Sequence, residues 1–402
     1  MGRTALAAFT TLGLGGPAAA LTEPDDEAGL VSAVRDADDR GEPVLVLGGG
    51  SNVVIADEGF PGLVVRVATR GISVAPARPG GPGGPTGRGE PDVPGAAGSA
   101  PVTQSRVALT VAAGENWDDV VARCVADGLA GLECLSGIPG LAGATPIQNV
   151  GAYGQEVADT IISVRAYDRA QRQVTEMPAA ACGFGYRTSL FKRTPFAAGA
   201  ATGRFVVLAA TFGLTAGLPS SPLSAPIRYP ELATELGVAT GDRVPLGEAR
   251  SAVLKLRARK GMVLDAGDPD TRSAGSFFTN PVLTADEFAA VTLRARQSGG
   301  PEQRVPHFPA PDGHMKVPAA WLIEHAGFGR GCAGQSAGPG GPGGPRDPGA
   351  ARISSKHTLA LVNPGSASTA SLLALARDIR AGVRDAFGVT LDIEPVLVGV
   401  VA

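Results

Sequence analysis

The feature that most restricts the fold is a stretch of bare backbone set between β-branched runs. Residues 43–66 read PVLVLGGGSNVVIADEGFPGLVVR. Hydrophobic runs of strand length flank Gly48–Asn52 and Asp57–Gly62, which predicts strand, glycine turn, strand, loop, strand. No helix opens after the glycines, so this is not the G-x-G-x-x-G turn of dinucleotide-binding folds, and no Gly-Lys-Ser/Thr follows to make a P-loop. Two readings remain for Gly48, Gly49, Gly50, Ser51 and Asn52. They form a tight hairpin turn, or a cradle in which backbone N–H groups and a hydroxyl approach a phosphate.

A second glycine-rich stretch, 137–154, reads GIPGLAGATPIQNVGAYG. Its glycines let backbone press against a ligand, Thr145, Gln148 and Asn149 carry donors and acceptors, and Ile138 and Ile147 offer an apolar wall. That mixture suits a flat heteroaromatic ring with a polar edge. The plainer alternative is a buried irregular loop, although such a loop would ordinarily carry larger residues in place of so many glycines.

Around these stretches the hydrophobic period predicts helices over Asp25–Asp39, stopped by Gly41, and over Trp117–Asp127, capped by Asn116. Further helices are expected over Pro245–Lys260, Thr284–Arg296, Val317–Ala326 and Ser371–Phe387, and strands over Val107–Ala113, Ile161–Tyr167, Arg204–Leu214 and Thr390–Val400. The basic end of the 245–260 helix (Lys255, Arg257, Arg259, Lys260) suits its C-terminal dipole or an anionic ligand. Strands and helices come in mixed order, which favours α+β over a doubly wound sheet.

Composition narrows the class. The 402 residues call for two or three domains, and apolar residues at 44% suffice for real cores. Gly and Pro, at 57 and 33, are in excess, and 15 and 9 of them fall in two tracts, 78–100 and 334–350, which lack any apolar pattern and read as flexible insertions. A net charge of −3 without long single-sign blocks argues against a nucleic-acid surface, and the chain has no apolar run of membrane-spanning length. Cys124, Cys134, Cys182 and Cys332 show neither metal-ligand nor disulfide-framework spacing, so they read as reduced thiols in a cytoplasmic protein with no metal site. The N-terminal run Ala5–Leu14 imitates a secretory signal, but Thr10, Thr11 and the glycines that follow interrupt its apolar core.

Three short polar islands complete the inventory: Gly185-Tyr-Arg-Thr-Ser189, Ala274–Pro281 and Ile393-Glu-Pro395. Taken singly, Arg187 suits a surface ion pair, Ser276 a helix cap and Glu394 a solvated strand position.

Taken together, LGGGSNVVIAD, AGENWDDVV, GLECLSGIPGLAGATPIQNVGAYGQEV, CGFGYRTSLFK, AGSFFTNPV and DIEPVLVG resemble the UDP-N-acetylenolpyruvoylglucosamine reductase (UDP-N-acetylmuramate dehydrogenase) family, in the family's order, from Thr10 to Gly399. The two Gly/Pro tracts are insertions relative to its pattern. The resemblance implies an α+β flavoenzyme of peptidoglycan precursor synthesis. NADPH would reduce non-covalently bound FAD, and the flavin would reduce the enolpyruvyl ether of UDP-N-acetylglucosamine enolpyruvate. It also implies two FAD-binding subdomains of the vanillyl-alcohol-oxidase type, over 1–71 and 104–265, a substrate domain over 266–388, and a closing strand, 389–402, bearing Glu394.

By the same resemblance, FAD would contact Gly48, Gly49, Gly50, Ser51 and Asn52, and also Ile138, Pro139, Gly140, Gly143, Ala144, Thr145, Gln148, Asn149, Gly151, Ala152 and Tyr153. The catalytic set would be Arg187 and Glu394, stabilising an enolate, with Ser276 donating a proton to carbon. Substrate contacts would come from Tyr229, of the subclass with an extra tyrosine-bearing loop, from Lys260, where the spacing of Gly261–Ala266 departs from the pattern, and from Asn280. The expected partner is a nucleotide sugar, a monomer is expected, and neither nucleic acid nor membrane is expected to be involved. The competing reading is a sugar or alcohol oxidase of the same fold; many of these tether flavin through His, whereas His307, His314, His325 and His357 lie outside the flavin stretches.

Overall fold

The computed structural model describes residues 4–77, 105–197, 200–217, 222–333 and 350–400, and the two Gly/Pro tracts lie outside these except for Ala350. The chain divides into two compact units that interleave in sequence: residues 1–19, 50–61 and 259–402 form one, and 20–49 with 62–258 the other. This differs from the consecutive partition expected from sequence. The reason is one parallel pairing, in which the C-terminal strand Val396–Val398 lies along Val53–Ile55 and draws residues 50–61 into the C-terminal unit.

The larger unit is organised by an antiparallel sheet. Its strands run in the order Gln173–Pro178, Ile161–Asp168, Phe205–Ala216, Ser105–Ala112, Ile72–Pro76, with Leu129–Ala130 added against Phe205–Ala216. Leu109 and Val111 point inward at the period of two that one buried face requires, packing with Val164, Ala210, Phe212 and Leu214 over the helix Trp117–Ala126. That helix starts where Asn116 accepts a hydrogen bond from the Asp119 N–H. A smaller sheet pairs Val44–Leu47 in parallel with Phe60–Arg66. The helix Glu27–Asp39 buries Leu30, Val34 and Ala37 against it, is capped by Asp26, and is followed by Gly41 at φ +64.

The smaller unit is built on the helix Thr369–Phe387, whose Leu372, Leu375, Ile379 and Val383 form one stripe in a core with Val54, Phe277, Phe278, Leu322 and Leu361. Ser368 caps it, Asp57 accepts from the N–H groups of Thr369 and Ala370, and Gly388 in the left-handed region ends it. Leu12 and Leu14, from the run that imitates a secretory signal, belong to this core. The expected strand 390–400 is broken in two. Pro395 has no N–H to donate, so only Val396–Val398 joins Val53–Ile55, while residues 392–394 pair elsewhere.

Two neighbouring carboxylates at the end of the helix Glu27–Asp39 separate weak from strong ion pairs. Asp38 meets Arg169 through two hydrogen bonds of 2.5 and 3.0 Å, and the Arg169 side chain is only 3% exposed. Its remaining N–H groups bond the carbonyls of Thr202 and Gly203, and its guanidinium lies over the Phe196 ring. Asp39 pairs with Arg172 in the open, both side chains being about half exposed. Asp38→Ala, which strands a buried guanidinium, is expected to lower unfolding free energy by about 3–5 kcal/mol. Asp39→Ala should cost under about 1 kcal/mol. Urea denaturation of the two variants checks the contrast.

Candidate active site

The two glycine stretches meet within the larger unit. A Cβ placed on Gly49 would lie 2.6 Å from the Gly140 Cα, so the backbones touch at a distance that only glycine permits, whereas one on Gly48 would meet only the Leu141 side chain, at 3.9 Å. The turn is fastened by its carbonyls. Leu47 O accepts from Val67, Gly50 O from Thr11 and Asn52 O from Val396. The stretch 137–154 is fastened in turn: Asp118 accepts from the Gly137 N–H at 2.6 Å, and Ala142 and Gly143 donate to Glu115 and Ala113. Burial opposes ionisation of Asp118, but its bonds to Arg250 and Gly137 prevail and hold its carboxyl below the usual range.

Polar side chains of this stretch also bond protein groups. Thr145 donates to Ala142 O, Gln148 accepts from Lys192, and Asn149 bonds Glu156, Gly185 and Ala158. Arg187 stands at the tip of a turn closed by reciprocal backbone bonds between Gly185 and Thr188, at φ +53, and its guanidinium donates to Gly151 O at 2.8 Å. Tyr153, at φ +48, meets the Tyr229 ring edge-on at 5.5 Å. Tyr229 is 39% exposed and immediately precedes the helix Pro230–Leu236. Glu133, a buried carboxylate that no motif argument singled out, accepts from Gly131 and Ala225 and so braces the segment leading to Tyr229.

The basic end of the helix Leu246–Arg259 differs from expectation. Lys255 pairs with Glu235, and Arg257 is turned inward, 8% exposed, where burial lowers its guanidinium to about 10 despite the attraction of Tyr153 and Asp118. The signal was present in the spacing, since Arg257 follows Val253 by four residues on the buried face. Lys260 stands directly after this helix, before Gly261 at φ +66.

In the smaller unit, Ser276 and Glu394 lie on paired segments. The Glu394 N–H donates to Phe277 O, Thr279 donates to Asp392 O, and Phe278 bridges Ile393. Buried Phe277 and Phe278 anchor one side, and Ser276, half-buried, follows the left-handed Gly275. Val396, two residues beyond Glu394, bonds Asn52, tying this segment to the glycine turn. Asn280 accepts from the Ala319 N–H with its Oδ1 and so begins the helix Ala319–His325. Cys124, Cys134 and Cys182 are buried, and burial pushes the thiols of Cys124 and Cys182 up to about 12.

A glycine turn is thus pressed against a second glycine-rich stretch, and an FAD binding domain matches residues 18–78 and 98–176. Together with the mixed helices and antiparallel sheet described above, this match bears out the expected α+β flavoprotein fold. The C-terminal domain of UDP-N-acetylenolpyruvoylglucosamine reductase matches residues 268–398. The reductase of that name from Thermobifida fusca is 51% identical, covering 98% of this chain and 97% of its own. Its counterpart from Mycobacterium marinum is 46% identical, covering 98% and 94%. The crystal structure of the Thermus caldophilus reductase, at 23% identity, superposes over 99% of this chain and 98% of its own with a TM-score of 0.55 and shows the same fold. The chain belongs to the UDP-N-acetylenolpyruvoylglucosamine reductase family.

Gly49→Ala should force the two backbones apart and weaken FAD binding at least about tenfold, while Gly247→Ala, where a Cβ meets nothing within 4 Å, should stay near the parent. Titration of apoprotein with FAD, followed by flavin fluorescence, separates them. Burial raises the Tyr153 hydroxyl from 10.0 to about 12. A raised folded value gives stability that is complete below the unfolded value and is lost as pH rises through the folded one. Thermal melts between pH 10 and 12 should therefore show a smaller alkaline loss for Tyr153→Phe than for the parent.

Proposed function

We propose that this protein reduces UDP-N-acetylglucosamine enolpyruvate to UDP-N-acetylmuramate with NADPH, in the cytoplasm and as a monomer, with Arg187, Ser276 and Glu394 as its catalytic residues. Family membership supports the reaction. The observation that carries the residue roles is the backbone pairing that sets Ser276 and Glu394 on adjoining segments. The residues fit FAD, because Gly49 and Gly140 leave a floor without side chains and the turn 48–52 is fastened by carbonyls, which suits its N–H groups to a pyrophosphate. Gly48, Gly49, Gly50, Ser51 and Asn52 would hold that pyrophosphate, and the backbone of Ile138–Tyr153 would line the ring. When bound, FAD would supply the hydride chemistry that links oxidation of NADPH to reduction of the enol ether.

Addition of hydride to the terminal carbon of the enol ether leaves negative charge on the adjacent carbon, delocalised into the carboxylate beside it. Arg187 remains cationic throughout and offers the paired N–H groups that a carboxylate accepts. Its contact with Gly151 O orients the guanidinium before substrate arrives. Ser276 donates its hydroxyl proton to the charged carbon, completing the lactyl ether, and a carbanionic enolate is basic enough to take it at close range. Glu394 shares in stabilising the enolate only through a proton held between its carboxyl and the enolate oxygen. Tyr229 and Lys260 contact the diphosphate. Asn280, its Oδ1 already engaged, offers its amide N–H groups to the sugar nucleotide.

Stopped-flow measurement of the two half-reactions tests the assignment. Ser276→Ala should leave flavin reduction by NADPH within about twofold of the parent and slow reoxidation by the enolpyruvyl substrate by at least ~10³-fold, in keeping with the loss of a general acid. Equal slowing of both halves would remove Ser276 from the proton-transfer role. Oxygen consumption on sugars or alcohols without NADPH would replace the reductase reading with that of an oxidase.

A further inference from the structure

Asn149 lies in the stretch expected to line the flavin, yet its side chain is directed at the turn that carries Arg187. It is 1% exposed and adopts the left-handed conformation, φ 45 and ψ 62. Its Nδ2 donates to Gly185 O at 2.9 Å and to Glu156 Oε2 at 2.8 Å, and its Oδ1 accepts from the Ala158 N–H at 3.2 Å, so both ends of the amide are fixed. Gly185 is the base of the two-residue turn whose tip is Tyr186 and Arg187. The neighbouring Gln148 reaches the same turn from its other side: Lys192 Nζ donates to Gln148 Oε1 at 2.7 Å and to Arg187 O at 3.3 Å. The guanidinium itself donates to the carbonyls of Gly151, at 2.8 Å, and Asn149, at 3.5 Å. Base, tip and cationic head of the turn are thus all referred to residues 148–151.

A long side chain at the tip of a two-residue turn has many rotamers, and bidentate contact with a developing charge tolerates errors of only about 0.5 Å. We propose that Asn149 is a positioning residue for Arg187, fixing the turn 185–188 through Gly185 O, and that its side chain is not a cofactor contact. This rests on the catalytic role of Arg187 proposed above.

The experiment uses holoenzyme carrying Asn149→Gly, Arg187→Ala or both. Glycine retains the left-handed backbone at 149 without strain, so Asn149→Gly removes only the side-chain bonds. The expected result for Asn149→Gly is FAD affinity and flavin reduction by NADPH within about twofold of the parent, with reoxidation by substrate about tenfold slower. In the Arg187→Ala background the same change should cause less than about twofold further loss, because residues acting as one unit are not additive. Asn149→Asp, which keeps the acceptor for Ala158 and replaces the donor facing Gly185, should reproduce the tenfold loss and serves if the glycine variant does not fold. Unchanged reoxidation in Asn149→Gly, or an equal loss on top of Arg187→Ala, overturns the positioning role while leaving Arg187 in place. Weakened FAD affinity with both half-reactions slowed makes Asn149 a cofactor contact and also overturns it. Normal reoxidation in Arg187→Ala overturns the Arg187 role, and the positioning role with it.

Discussion

The approach of Gly49 to Gly140 is the constraint on which the candidate site depends. A single Cβ at position 49 would fall 2.6 Å from a backbone carbon that cannot swing away. Neither stretch can therefore be an ordinary turn with interchangeable residues. Each is built so that backbone meets backbone, and a surface made of backbone presents amides and carbonyls rather than side chains to whatever lies on it. The fastening follows the same logic, since the carbonyls of Leu47, Gly50 and Asn52 are engaged by distant N–H groups and hold the turn in shape.

A second constraint is the number of residues with side chains that adopt the left-handed conformation in this region. Asn149, Tyr153 and Arg187 all do so, at φ 45, 48 and 53. For Asn the cost is small, because a short amide tolerates this region, but for Tyr and Arg it is of order 1–3 kcal/mol each and must be offset by surrounding contacts. Those contacts are visible: Tyr153 lies against Tyr229, and Arg187 is bonded to Gly151 within a turn closed on both sides. The turn that carries Arg187 is thereby held in one backbone conformation.

Much of this was legible in the sequence. The capping residue Asn116, the stop at Gly41 and the stripe Leu372, Leu375, Ile379, Val383 each correspond to a local rule, and local rules need no partner. The motifs placed Arg187, Ser276 and Glu394 in one family pattern, and the pairing of 277–279 with 392–394 supplies the physical juxtaposition for two of them. What escaped was non-local. Val53–Ile55 reads as one strand among three, and nothing in it announces a parallel partner more than 340 residues away, which is why the units interleave. Arg257 was legible as charge, and its burial only through its spacing from Val253, while the groups that face it, Tyr153 and Asp118, come from other segments. The strands Gln173–Pro178 and Ile72–Pro76 were missed for the same reason, as sheet edges take their conformation from the neighbour they pair with.

The side chains of Thr145, Gln148 and Asn149 carry this argument one step further. A polar residue in a glycine-rich stretch is readily read as a ligand contact, since a donor without an evident partner invites one. In this fold each has a protein partner, and in two of the three cases the partner leads to the segment that bears Arg187. The division of labour is physically sensible. Ligand recognition by backbone is insensitive to side-chain motion, and side chains freed from that task can join one loop to another by bonds of fixed length. On the roles proposed above, the stretch 148–151 and the turn 185–188 are parts of one hydrogen-bonded assembly, so a disturbance in the first would reach the guanidinium through Gly185 and Gly151.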